Sequence, residues 1–255
     1  MSDNNFLGMQ DTFISHLVEL RDRLVKACAG VAIICAALFA WPGPSAIYDF
    51  LAQPMIAALP AGSKMIATGV ISPFLVPMKV TLLLAFLLAL PWVLYQAWAF
   101  IAPGLYAHEK RLIAPLVISS SVLFAAGVAF CYFFVFGRVF KFIAEFAPTS
   151  ITVSPDIENY LDFIMSMCLA FGLTFEVPIV VIVLVRTGLL TVEKLKAIRS
   201  YVIVGAFIIA AIVTPPDVVS QLALAIPMWM LFELGLFVAP IFVKATQAPE
   251  SSSDS

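Results

Sequence analysis

Apolar residues dominate the chain in long runs, and their spacing predicts helices. Phe13, Leu17, Leu20 and Leu24 recur at helical intervals, so residues 11–25 read as an amphipathic helix lying at an interface. Asp11 stands where it could cap the start. Glu19–Arg23 and Asp22–Lys26 are i,i+4 pairs in the favourable orientation. A first span follows over about 24–41 and is stopped by Pro42-Gly43-Pro44. Residues 42–76 are apolar but interrupted by Pro54, Pro60, Gly62 and Pro73, which predicts short helices capping one membrane face. Further spans read as about 77–100, 112–137 and 163–185, then a short one at 201–214 and a last one at 218–237. Pro91 is placed to kink the second, and Asp156, Glu158 and Asp162 read as a loop before the fourth. The fifth run reaches only about 21 Å at ~1.5 Å per residue, against roughly 30 Å of hydrocarbon. The tail, 245–255, is polar, serine-rich and expected to be disordered. The fold class expected is all-α: a single integral membrane domain of six transmembrane helices, with an N-terminal amphipathic helix and an outer cap of short helices.

Composition agrees. Of 255 residues, 62% are hydrophobic and 12% charged, whereas a soluble domain carries about 25% charged residues. A net charge of −2 gives no electrostatic reason for a nucleic-acid partner. Acidic residues among the first basic ones, and the further apolar runs, argue for a retained first span rather than a cleaved signal peptide. Six spans put both termini on one side. Arg21, Arg23, Lys26, Lys110, Arg111, Arg186, Lys194, Lys196, Arg199 and Lys244 share that side, against Lys64, Lys79, Arg138 and Lys141 opposite. The bias predicts cytoplasmic termini.

Catalytic chemistry finds little support. No phosphate-binding glycine loop and no G-x-S-x-G turn occurs. His108-Glu109-Lys110-Arg111-Leu112 lacks the second histidine of a zinc-protease helix, and His16 is the other histidine. Cys28, Cys35, Cys131 and Cys168 sit within apolar runs without metal spacing. The expectation is no enzyme, no metal and no cofactor. Glu176 and Glu233 are ionisable residues inside spans; such groups face a cavity or partner, or are neutral and bonded to backbone. Glu109 reads as helix-capping and Glu19 as a surface ion pair on residue type alone.

Several segments resemble one family. His16-Leu17-Val18-Glu19-Leu20-Arg21-Asp22-Arg23-Leu24 is similar to the N-terminal signature of TatC, the multispanning receptor subunit of the twin-arginine protein translocase. Met65-Ile66-Ala67-Thr68, Ser72-Pro73-Phe74, Tyr95 to Leu105, His108-Glu109-Lys110-Arg111, Phe175-Glu176-Val177-Pro178 and Thr214-Pro215-Pro216-Asp217 resemble further motifs of that family, in order. The likeness covers about residues 10–240. It implies a receptor in the bacterial inner membrane for paired-arginine signal peptides of folded cargo. It further implies assembly with TatA, TatB and other TatC copies, and export driven by the proton-motive force. It places the receptor glutamates at Glu19 and Glu109, with Phe100 and Leu105 flanking the same patch. His16, Arg21 and Arg23 become supporting groups, Arg21 by orienting the N-terminal segment. Pro54, Met65 and Asp217 fall in outer loops, and Thr214 and Gln221 on a docking edge for a partner helix. Glu176 is expected to face a concave, water-accessible surface. A secondary transporter and a structural scaffold are the other readings, and the transporter is weakened by the small helix count and the lack of an inverted repeat.

Overall fold

The structure is a computed structural model and describes residues 3–58, 64–105, 113–146, 154–214 and 217–246. It is helical almost throughout. In order come α1 (Asp3–Ala40), α2 (Pro44–Ala58), α3 (Ser72–Leu105), α4 (Ile113–Phe130), a single π-turn at Cys131–Val135, α5 (Phe136–Phe146), α6 (Ile157–Arg186), α7 (Val192–Ala197), α8 (Arg199–Val213) and α9 (Val218–Thr246). Among the described residues, five stretches are long and apolar enough to cross a membrane: 14–40, 72–101, 114–143, 157–186 and 218–241. The expected fifth span, α8, is an apolar helix of 15 residues, about 22 Å long.

Several boundaries differ from expectation for local reasons. The amphipathic segment is not a separate interfacial helix: α1 is continuous from Asp3, so Asp11 lies inside it rather than at its start. No proline occurs before Pro42, and Gly8 alone does not stop a helix of this length. The stop comes at Pro42, which has no N–H, and Gly43, whose φ of 92° is open to glycine without a Cβ clash. Likewise Asp162 lies in α6 and not in a loop. Asp156 takes the N-cap and accepts the N–H groups of Glu158 and Asn159, starting α6 earlier.

Pro54 does not break the 42–76 segment either; α2 runs through it. A proline at 54 cannot donate to the carbonyl of residue 50. The Tyr132 hydroxyl donates to that Phe50 carbonyl instead, at 2.9 Å, and the Tyr160 hydroxyl donates to the carbonyl of Leu51 at 3.1 Å. Pro73 sits in the first turn of α3, where no intrahelical donor is lost.

The chain divides into two compact units. One comprises residues 1–49 and 77–121, the other 50–76 and 122–255. In the first, α1 and α3 run antiparallel. Trp92 donates its indole N–H to the Lys26 carbonyl at 2.9 Å, and a Cβ on Gly30 would collide with that indole. Trp98, buried, donates to the Ser120 hydroxyl at 3.0 Å. In the second unit α6 and α9 pack side by side. Gly235 lets α9 approach the backbone of Pro178, with 3.0 Å from a notional Cβ to the Pro178 Cα. Around that crossing lie buried Val181, Leu195, Phe232, Leu236 and Ala239. A ladder of rings, Phe136, Phe140, Tyr160 and Phe163, fills the space between α5 and α6. The extra residue in the π-turn keeps Cys131, Val135, Phe136, Val139 and Phe140 all buried.

The 64–72 segment is tied to the start of α6 within the second unit. Ile66 and Asp156 form a parallel bridge, with Ile66 N–H donating to Pro155 and Ile157 N–H donating to Ile66, each at 2.9 Å. Asp156 Oδ1 accepts the Thr68 hydroxyl at 2.8 Å and the Thr68 N–H at 3.1 Å. Ser72, buried, donates to Glu158 at 2.6 Å.

Candidate functional site

The helical period of the His16–Leu24 signature sets every third or fourth residue on one face of α1. His16, Glu19 and Arg23 fall there, and the face meets α3. The His16 ring stacks on Phe100, centroids 4.3 Å apart and 19° between planes. One turn on, Arg23 donates twice to the same oxygen of Glu19, Nε at 2.9 Å and Nη2 at 2.6 Å. These side chains are 24% and 38% exposed, so the pair is partly sheltered while the carboxylate stays in reach of water. Asp22 departs from the expected pairing with Lys26: it pairs with its neighbour Arg21 at 2.8 Å, and Arg21 is 70% exposed. The backbone carbonyl of Lys26 accepts the Trp92 indole N–H.

The arrangement presents the Glu19 carboxylate, the His16 imidazole and the Phe100 ring at the end of the first unit where α1 begins and α3 ends. It suits recognition of a cationic, planar group, because a carboxylate accepts a guanidinium in a fork of charged hydrogen bonds. The sequence reading missed the His16–Phe100 stack, since their contact depends on how α1 packs on α3. Leu105 closes α3 with its side chain outside the described residues, and Glu109 lies outside them altogether.

The second unit holds the other polar candidates. Glu176, on α6, is 8% exposed, so protein rather than lipid encloses it. Glu233 is not an isolated charge: Arg199 at the start of α8 donates to it at 2.7 Å, with exposures of 46% and 30%. That ion pair fastens α8 to α9. The Thr214 hydroxyl donates to the Ala210 carbonyl at 2.8 Å and is buried, so it turns inward at the end of α8. Gln221 is half-buried on the first turns of α9. Asp217 precedes α9 and accepts the Ser220 N–H at 2.7 Å, a capping role. Pro54 lies within α2 and Met65 directly before the Ile66 bridge.

The Thr68–Asp156 and Ser72–Glu158 ties had no signal in sequence spacing. Both partners of each bond sit more than 80 residues apart, at separations of 88 and 86. Hydrogen bonds from Thr68, and then from the α6 amides, hold the Asp156 carboxyl below its ordinary pKa. Among the described residues no group of three or more His, Cys, Asp and Glu could hold a metal ion.

Comparison with known proteins gives a consistent result. Residues 15–227 match the family described as Sec-independent protein translocase protein (TatC). The TatC protein of Halothiobacillus neapolitanus is 50% identical over 92% of this chain, the match spanning 64% of that protein. Those of Haemophilus influenzae and Escherichia coli K12 are 50% and 47% identical, over 90% and 93% of this chain and 89% and 92% of theirs. A crystal structure described as the twin arginine translocase receptor TatC superimposes with a TM-score of 0.78 at 36% identity, covering 89% of this chain and 98% of that one. The all-helical, multi-pass architecture, the ordered motifs and these matches lead to one conclusion: the chain belongs to the TatC family of Sec-independent protein translocase proteins, a transport component of the membrane and not an enzyme.

Proposed function

We propose that this chain is the receptor that binds paired-arginine signal peptides of folded cargo at its cytoplasmic face. The observation that carries the reading is the convergence of His16, Glu19 and Phe100 on one face of the first unit. The carboxylate of Glu19 answers a guanidinium, and the Phe100 ring, already stacked by His16, offers an apolar surface for the residues beside it. Glu109 supplies the second carboxylate and Leu105 further apolar surface. Arg21, on the exposed side of α1, orients the segment.

The same reading has six membrane crossings, α8 being the fifth in order and the shortest, in a bacterial inner membrane with both termini cytoplasmic, as the Lys/Arg bias supports. A short crossing thins the bilayer or seeks protein neighbours. The outward face of α8 is apolar: Val204, Ile208 and Ile212 are 57%, 54% and 79% exposed. We place the docking edge for a single-span TatA or TatB helix along α8 and α9, with Gln221 as its hydrogen-bonding group and buried Thr214 shaping the end of α8. Other TatC copies complete a larger complex, and export draws on the proton-motive force. Glu176 lies toward a polar concavity that water reaches.

The test is genetic. In a strain lacking its own twin-arginine receptor gene, this chain restores export of a folded reporter bearing a paired-arginine signal. Restoration of a reporter with two lysines instead, or of none with the partner proteins present, contradicts the proposal.

A further inference from the structure

The carboxylate that this reading assigns to the signal peptide is already occupied. Arg23 reaches back one turn and grips a single oxygen of Glu19 with two N–H groups, at 2.9 and 2.6 Å. Of the two Arg–carboxylate pairs on this stretch of α1, it is the sheltered one. Arg23 is 24% exposed, whereas Arg21 in its pair with Asp22 is 70% exposed. The pairing converges on Oε1 and leaves Oε2 of Glu19 outside it.

We propose that Arg23 is an internal competitor: its guanidinium occupies Glu19 until the guanidinium of a paired-arginine peptide displaces it. This rests on Glu19 being part of the signal site. Its consequences follow from the chemistry of the two cations. Arg23 is tethered to Glu19 by one helical turn, so its effective concentration is high and a weak ligand loses to it. An incoming arginine can match it, because it brings the same planar fork and can take Oε2 as well. A lysine brings a compact ammonium without the fork and is more strongly hydrated, so it binds the freed carboxylate less tightly and, with the same cost of displacing Arg23 added, falls below the binding threshold first. Arg23 therefore lowers affinity for every cationic ligand by the same factor, set by the fraction of time it leaves Glu19 open. Exposed and half-exposed ion pairs are individually weak, so the threshold is modest and the peptide is able to cross it.

The experiment measures binding of labelled Arg-Arg and Lys-Lys signal peptides to the purified full-length chain in lipid nanodiscs. The variants are Arg23→Gln, Arg23→Lys, Glu19→Gln and the double variant Arg23→Gln/Glu19→Gln. Arg23→Gln tightens Arg-Arg and Lys-Lys binding by the same factor, about two- to five-fold, so the ratio between them holds. Arg23→Lys, which keeps the charge and loses the fork, also tightens both, though by less, which removal of a general positive field would not explain. On the Glu19→Gln background, Arg23→Gln changes neither affinity, because the effect passes through that carboxylate. Weaker Arg-Arg binding in Arg23→Gln or Arg23→Lys, or an equal effect with and without Glu19, overturns the competitor role. If Glu19→Gln weakens binding while the Arg23 variants change nothing, Glu19 keeps its place and Arg23 loses its own. If Glu19→Gln leaves binding intact, the assignment of Glu19 fails, and this inference with it.

Discussion

Glu19 and Asp156 are carboxylates doing opposite work. Glu19 holds one arginine in a partly exposed ion pair, of a kind individually weak enough to exchange. Asp156 takes four backbone and hydroxyl donors and ties residues 64–68 to the head of α6. Because those donors depress its pKa in the folded protein, the tie is fully present above the ordinary carboxylate value of about 4 and is lost as pH falls through the lower, folded value. Hydrogen exchange at the Ile66 and Ile157 amides should therefore be protected at neutral pH and deprotected on acidification below about pH 4. An Asp156→Ala variant should show the deprotected rates at every pH. Protection independent of pH would remove Asp156 from this role. The Glu19–Arg23 pair was legible from i,i+4 spacing, because both partners lie on one helix. Asp22 was misread: Lys26 has the right spacing, but its own sequence neighbour Arg21 captures it. The Asp156 tie was invisible, since its partner comes from 88 residues earlier and depends on where the chain returns.

Proline was the poorest guide to helix ends. Pro42 with Gly43 stops α1 as expected, yet Pro54 is absorbed into α2. The difference is whether another group satisfies the freed carbonyl, as Tyr132 does for Phe50, and sequence spacing does not reveal a hydroxyl 82 residues away. Close helix approaches are equally specific. The Trp92 indole occupies the place of a side chain at Gly30, so Gly30→Val should displace it, break its bond to Lys26 and destabilise the α1–α3 pairing by about 1–3 kcal/mol, an overpacking cost. Trp92 fluorescence and thermal melting in detergent would check it; an unchanged melt would mean the helices part without cost. For α8 and α9, Gln221→Leu should loosen or redirect the partner helix while leaving the chain folded. Interhelical bonds of this kind contribute about 0.6–2 kcal/mol. Site-specific crosslinking to TatA and TatB from positions 211 and 221 reads this out. Crosslinks found only on other spans would move the docking edge.

Across the molecule, five of the six expected apolar runs are helices long enough to cross a membrane and the other, α8, is a shorter apolar helix, because twenty or so consecutive apolar residues have few other stable homes. Their ends were shifted, α6 starting at Ile157 and the third run extending to Phe146, since caps and a π-turn rather than hydropathy set them. The candidate site was legible only in part. Its residues were named by family likeness, while the stack of His16 on Phe100 had to come from packing. Orientation rests on charge bias and has its own check. A cysteine placed at Ser63 should be labelled from outside the cell and one at Ser252 should not; the reverse would invert the topology. The central claim is that two carboxylates read a pair of arginines, and the most direct measurement is the affinity of a paired-arginine signal peptide for the wild type and for Glu109→Ala. The account predicts a loss of roughly 1–3 kcal/mol in the variant, the scale of a charged hydrogen bond, with wild-type affinity falling as salt is raised. Wild-type affinity in Glu109→Ala would contradict it.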